Sequence, residues 1–294
     1  MAPSSDGARL IVNADDYGYF RCVSKGILQS VTHGIVTATG VFANTTHFAE
    51  HAAWLRDCDR LDVGVHLNLT AGVPLTNGLR ERLARSLGGF AGKFAMARGI
   101  LAGAIKVEDV RLEWAAQIER CLASGLKLQF VNSHEHMHML PALFSMTHSL
   151  AHQYGIAHVR FPTSDLQGSG SMGALFRGAV MKTLESINRR HRDASTAQFF
   201  GLEKSGRLDL AYLQRWIPRL RQDRVYELMC HPGLFDPAEV TDSRLVRYHD
   251  WEGELRLLTS SAVRELLDRH AVRLIGFRQL GVERDRLVTR EQAA

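Results

Sequence analysis

Cysteine is scarce in this chain of 294 residues: Cys22, Cys58, Cys121 and Cys230 lie far apart and form no CxxC pair, so neither a zinc ribbon nor a disulfide framework is indicated. Buried, reduced thiols are the expectation. Long apolar runs are missing too, and with no window approaching 18 uninterrupted apolar residues no spanning helix is predicted. Low-complexity tracts and internal repeats are absent. The opening Met1-Ala2-Pro3-Ser4-Ser5-Asp6-Gly7 lacks the basic region and apolar segment of a secretory signal. It reads as a flexible tail over 1–8 before a single domain over 9–280, with a second tail over 281–294, and the expected location is the cytoplasm. The net charge of +5 comes from arginines dispersed along the chain rather than from one basic block, so a nucleic-acid partner is not expected.

What is present is enough apolar residue, 45%, to bury one large core or two modest ones, and a marked excess of histidine, 14 in all. Short β-rich runs at 9–14, 35–43, 61–69, 128–133, 157–161, 197–201, 224–230 and 272–277 alternate with amphipathic segments near 23–33, 47–56, 108–124, 141–154, 209–221 and 256–270. Pro141 suits the first turn of its helix, where an amide would have no partner anyway. Seven or eight strands, each followed by a helix, predict a parallel α/β architecture. A (β/α) barrel is preferred over a doubly wound sheet because unusual polar residues recur at strand ends: Asp15 and Asp16, His66 and Asn68, His134, Arg160 and His231. The long connections 71–107 and 162–196 are expected to act as lids.

Four stretches carry the chemistry. In Leu10-Ile11-Val12-Asn13-Ala14-Asp15-Asp16-Tyr17-Gly18 an apolar run stops at two adjacent carboxylates, which repel each other and resist burial unless a cation binds one of them. One Asp could then ligate a divalent metal while the other stays free for proton transfer. In Val63-Gly64-Val65-His66-Leu67-Asn68-Leu69-Thr70, alternation puts His66, Asn68 and Thr70 on one side. The run Phe130-Val131-Asn132-Ser133-His134-Glu135-His136-Met137-His138 repeats that spacing, so His134, His136 and His138 could all face a barrel mouth, though one Asp and two His would suffice for a hydrolytic metal site. A fourth stretch, Tyr226-Glu227-Leu228-Met229-Cys230-His231-Pro232-Gly233, offers His231 as a general acid. Cys230 and His231 cannot pair as nucleophile and base, because neighbours on a strand point to opposite faces. The helically spaced pairs His47/His51 and His148/His152 lack a carboxylate partner and read as surface histidines.

These motifs, taken with Gly34-Ile35-Val36-Thr37 and Pro141, resemble the YdjC-like carbohydrate deacetylases, the group that includes chitooligosaccharide and hopanoid-glucosamine deacetylases. The resemblance implies a distorted TIM-like barrel and metal-dependent removal of an N-acyl group, foremost acetyl, from an amino sugar. It implies Asp16, His66 and His134 as ligands of one divalent ion, Asp15 as base and His231 as acid, with water attacking the amide. Ligand chemistry favours zinc, and the family is associated with magnesium as well. Tyr17, Asn68, Thr70, His136, His138, Arg160 and Glu227 are expected to touch substrate or to support the ligands. Where the family reads Asp-Ser-His-His-His, this chain has Asn132-Ser133-His134-Glu135-His136, and Glu135 is the next candidate for the base. A homodimer is the expected assembly. One alternative is a deacylase or deformylase of a lipid-linked amino sugar with peripheral membrane contact, suggested by the cationic, apolar stretches 92–101 and 172–182. The other is a non-catalytic sugar- or metal-binding barrel, which would need neither Asp15 nor His231.

Overall fold

The computed structural model describes residues 7–280 apart from 57, 87–89, 166–171 and 193–195. The two expected tails, save Gly7 and Ala8, lie outside the described residues. Among those described, eight parallel strands form one sheet: β1 (Arg9–Tyr17), β2 (Ala38–Val41), β3 (Asp62–Leu67), β4 (Leu128–Ser133), β5 (His158–Val159), β6 (Gln198–Phe200), β7 (Val225–Cys230) and β8 (Arg273–Leu274). The helices follow in alternation. α1 (Arg21–His33) and α2 (Phe48–Leu55) succeed the first two strands, and α3 (Asn77–Ser86), α4 (Lys93–Leu101) and α5 (Val107–Ala123) lie between β3 and β4. Then come α6 (Pro141–Gln153), α7 (Met172–Asn188) and α8 (Leu210–Trp216), with α9 (Ser243–Tyr248), α10 (Trp251–Thr259) and α11 (Ser261–Arg269) between β7 and β8.

The spatial order is β5-β4-β3-β2-β1-β7-β6, and β8 pairs with β1 at Arg9 and Leu10 alone. A regular eight-stranded barrel would insert its last strand between β7 and β1 and close β5 against β6. Here β7 pairs directly with β1 from Arg9↔Val225 to Ala14↔Cys230. Among the described residues no ladder joins β5 to β6, so the fold is a distorted TIM-like barrel with one open seam. The runs read as strands at 157–161 and 272–277 shrink to two residues each, because β5 and β8 each have a neighbour on one side only.

Parallel strands covered on both faces should be apolar throughout, and β1 is buried over Leu10–Tyr17. The amphipathic stretch 256–270 is not one helix. Ser260 adopts an extended conformation (ψ 151°) and its hydroxyl accepts from the Val263 amide, so the stretch divides into α10 and α11. Pro141 does open α6. The connection 71–107 folds into α3 and α4, and 162–196 holds α7, rather than forming bare loops. All four cysteines are free, three of them buried. No described helix is long and apolar enough to cross a membrane.

Gly64 is a point of close packing between β3 and β4. A Cβ built there would lie 2.5 Å from the Phe130 carbonyl oxygen and 2.6 Å from its ring, which stacks on Phe277 at 4.2 Å. Gly64→Ala should therefore destabilise the fold by about 1–3 kcal/mol, the scale of an overpacked core. Chemical denaturation checks this, and an unchanged midpoint would show that Phe130 relaxes freely.

Candidate functional site

Along a regular strand Asp15 and Asp16 would point to opposite faces. The β1–β2 register shifts between Ala14 and Tyr17, and Asp16 sits at φ 71°, so a bulge re-aims the chain and both carboxylates line one cavity. Asp16 Oδ1 lies 3.3 Å from His66 Nε2 and 2.9 Å from His134 Nδ1. One potential ligand atom from each of the three residues falls within 4.8 Å of the other two. Burial pushes the Asp16 carboxyl up, but His134 and His66 beside it hold it well below the usual carboxylate range. One carboxylate oxygen and two imidazole nitrogens are a fitting donor set for a zinc-like divalent cation that keeps an open position.

His66 is oriented from behind. Its Nδ1 lies 2.7 Å from Asn132 Oδ1, and Asn132 Nδ2 donates to Asp15 Oδ1 at 2.9 Å. The amide therefore accepts from the ring on one side and donates to the carboxylate on the other, leaving His66 Nε2 as the lone-pair nitrogen facing Asp16. Gly40 makes room for this. A Cβ there would come within 2.9 Å of Asn132 Oδ1 and 3.2 Å of His66.

The histidines after β4 do not keep strand alternation. Glu135 and His136 adopt left-handed backbone (φ 54° and 55°) inside a 3-10 turn, His134–Met139, which sends the three rings to different places. His134 joins Asp16. His136 lines the cavity, and burial, with Arg160 nearby, holds its ring well below the usual imidazole range. His138 is enclosed away from the cavity: the Ser133 hydroxyl donates to its Nδ1 (2.6 Å) and its Nε2–H donates to the Arg160 carbonyl (3.0 Å). Burial lowers it to about 3.

Asp15 is not a free carboxylate. Arg160, 2% exposed, donates to its two oxygens at 2.5 and 2.9 Å and also to Glu227 Oε1 at 2.7 Å. Glu227 accepts further from Asn13 Nδ2 at 3.0 Å. Burial raises the Asp15 carboxyl, but Arg160 outweighs it and leaves the group at about 2. His231 follows β7 and lines the same cavity; its backbone amide donates to Glu254 Oε2 (2.5 Å), while its Nδ1 has no hydrogen-bond partner among the described residues. The neighbouring Cys230 thiol contacts the Asn13 carbonyl at 3.5 Å, away from the cavity, and burial raises it well above the usual range.

Other expected residues separate by place. Thr70 and Glu135 line the cavity, the latter paired with Lys93 at 2.9 Å. Tyr17 and Asn68 do not. The Tyr17 hydroxyl donates to the His51 carbonyl (2.9 Å), and Asn68 Oδ1 accepts from the Thr70 and Ala71 amides, shaping the loop after β3. His51 is buried rather than at the surface, in ring contact with Trp54. Sequence reading missed Asn13, Glu254, Tyr19 and His249. Of these only Asn13 gives a local signal, a polar residue inside an apolar strand.

The cavity holds about 450 Å³, with Tyr19 near the carboxylates, Lys93 and Phe94 from α4, Phe176 and Val180 from α7, and Tyr248 from α9. A larger cavity of about 570 Å³ opens at the β5–β6 seam beside His158, Ala197 and Phe277. Asp16, His66 and His134 lie in the smaller one.

Comparison with known proteins agrees with this geometry. Residues 9–269 match the family model described as YdjC-like protein. A carbohydrate deacetylase of Brevibacillus brevis is 30% identical over 274 residues, covering 93% of this chain and all of the relative. A chitooligosaccharide deacetylase of Escherichia fergusonii is 34% identical over 236 residues, covering 77% and 82% of the two chains. A crystal structure from Enterococcus faecalis, of a protein provisionally assigned to cellobiose-phosphate cleavage, superimposes with a TM-score of 0.68 at 25% identity and covers 93% of this chain and 99% of that one. Since the match takes in every strand that lends a residue to the cavity, the chain belongs to the YdjC-like protein family.

Proposed function

We propose that the protein is a carbohydrate N-deacetylase, a hydrolase that removes an acetyl group from an amino sugar, and that it depends on a divalent metal ion. The observation that carries this reading is the convergence of Asp16, His66 and His134 with Asp15 and His231 in one cavity. The deacetylase names of the relatives supply the substrate class.

Asp16, His66 and His134 would hold the ion, and their mixed oxygen and nitrogen donors favour zinc while admitting magnesium. Bound there, it would supply Lewis acidity to an amide carbonyl and to water. The remaining work belongs to the chain. Arg160 and Asn132 fix Asp15 in place and keep it ionised through neutral pH, so it can accept a proton from the attacking water. As the C–N bond of the tetrahedral intermediate breaks, His231 gives a proton to the leaving nitrogen, and the products are acetate and a free amine. A metal-storage or sugar-binding barrel would use neither a positioned acid nor a positioned base.

A lipid-linked amino sugar is a second reading, favoured by the apolar wall that Phe94, Phe176 and Val180 bring to the cavity. Remote apolar contacts supply binding energy only when the substrate has a group to fill them. Replacing Phe94 and Phe176 by Ser should then weaken turnover of a lipid-linked substrate and spare a short soluble one; equal loss on both substrates assigns the rings to folding or lid movement.

Amine release from N-acetylated glucosamine oligomers should vanish on chelation and return with added zinc or magnesium. Asp16→Ala, His66→Ala and His134→Ala should each lose metal content together with activity. Full occupancy in all three variants would refute this ligand set. Asp15→Asn should behave differently, retaining metal while kcat falls by about two or more orders of magnitude, the scale for a positioned base. Near-normal turnover would move the base elsewhere, with Glu135 examined next.

A further inference from the structure

Exposed apolar side chains gather on two helices beside the cavity. Phe94 is 72% and Leu101 68% exposed on α4; Met172 is 81% and Phe176 60% exposed on α7, with Leu175 and Val180 also in solvent. Both helices contact the turn that carries His134. Phe94, Phe176 and Val180 belong at once to this surface and to the wall of the cavity that holds Asp16 and His66.

Charge follows the same distribution. The segment 90–106 carries Lys93, Arg98 and Lys106 and no acidic residue, and 172–192 carries Arg177, Lys182, Arg189, Arg190 and Arg192 against Glu185 alone. The whole chain has 36 basic and 31 acidic residues, so the part outside these segments has a slight acidic excess. The arginines are dispersed, but the positive surplus is not. It coincides with the exposed apolar side chains, and that combination is the one that seats a protein in the interface of an anionic bilayer: apolar groups enter the acyl boundary while cations meet headgroup phosphates. Lys93 is paired with Glu135, but a symmetric contact between copies through this face would still set the net positive charge of the two segments against itself.

We propose that the exposed face of α4 and α7 docks on an anionic lipid bilayer, with the cavity opening towards the membrane surface. The proposal does not rest on the deacetylase reading, because docking is measured without turnover.

The test is co-sedimentation of the full chain with vesicles of phosphatidylcholine alone or mixed with phosphatidylglycerol. Binding to the mixed vesicles should be at least about tenfold tighter and should weaken with salt, each basic residue near such a surface contributing about fivefold. The double variant Leu101→Ser with Leu175→Ser, away from the cavity lining, should weaken binding to mixed vesicles about tenfold. The double variant Arg98→Gln with Lys182→Gln should remove most of the preference for anionic lipid. Circular dichroism reports whether each variant is folded, and the charge variant leaves a decisive measurement if the leucine variant fails to fold. Absence of vesicle binding, equal binding to neutral vesicles, or a charge variant that binds as the parent does would overturn the proposal. So would light scattering that shows a dimer dissolved by the leucine substitutions in a protein that ignores vesicles, which would make this face a contact between copies.

Discussion

The buried ion pair between Arg160 and Asp15 is the constraint on which the rest of the site depends. Two adjacent carboxylates at the end of the central strand could not both stay ionised away from water without compensation. Arg160 faces Asp15, while His66 and His134 face Asp16, so the two acids meet separate partners. The division has a chemical result. Asp16 is left to the imidazoles, and Asp15 is kept out of that group although it is next in sequence.

Strand register brings the pieces together. Ala14 pairs with Cys230, so the residues that follow, Asp15 and His231, leave neighbouring strands side by side. His66 pairs with Asn132, which is why the amide can reach the ring that it orients. The departure from regular barrel order is part of this arrangement, since a full-length strand between β7 and β1 would separate His231 from Asp15 by a strand's width, nearly 5 Å.

Much of this was legible in the sequence because it is local. An apolar run ending in Asp15-Asp16, a strand ending in His66, and a proline after the histidine cluster each announce themselves within ten residues. What failed was extrapolation of a period. Alternation mispredicted 134–138 because two residues in left-handed conformation interrupt it, and it would separate Asp15 from Asp16 because it cannot see the bulge. Ser260 likewise broke a stretch whose apolar spacing reads as one helix. Arg160, Glu227 and Asn13 are widely separated in sequence, so a strand-end reading names Arg160 without showing that its guanidinium meets Glu227 or that Glu227 meets Asn13. Asn132 registered as a departure from a pattern, and only its two hydrogen bonds explain what a neutral amide does there.

The unladdered seam gives the molecule a direction in which to loosen. Backbone groups on the facing edges of β5 and β6 lack the mutual ladder that locks β1 between β2 and β7. Amide protons along that margin should trade with solvent sooner than those of the central strand. Across the margin runs Arg160, which follows β5 and reaches Glu227 on β7, with the Thr163 hydroxyl on the Phe199 carbonyl beside it. The guanidinium thus works as one bolt across the open side of the cylinder, and it ties the rigidity of the wall to the charge state of its mouth.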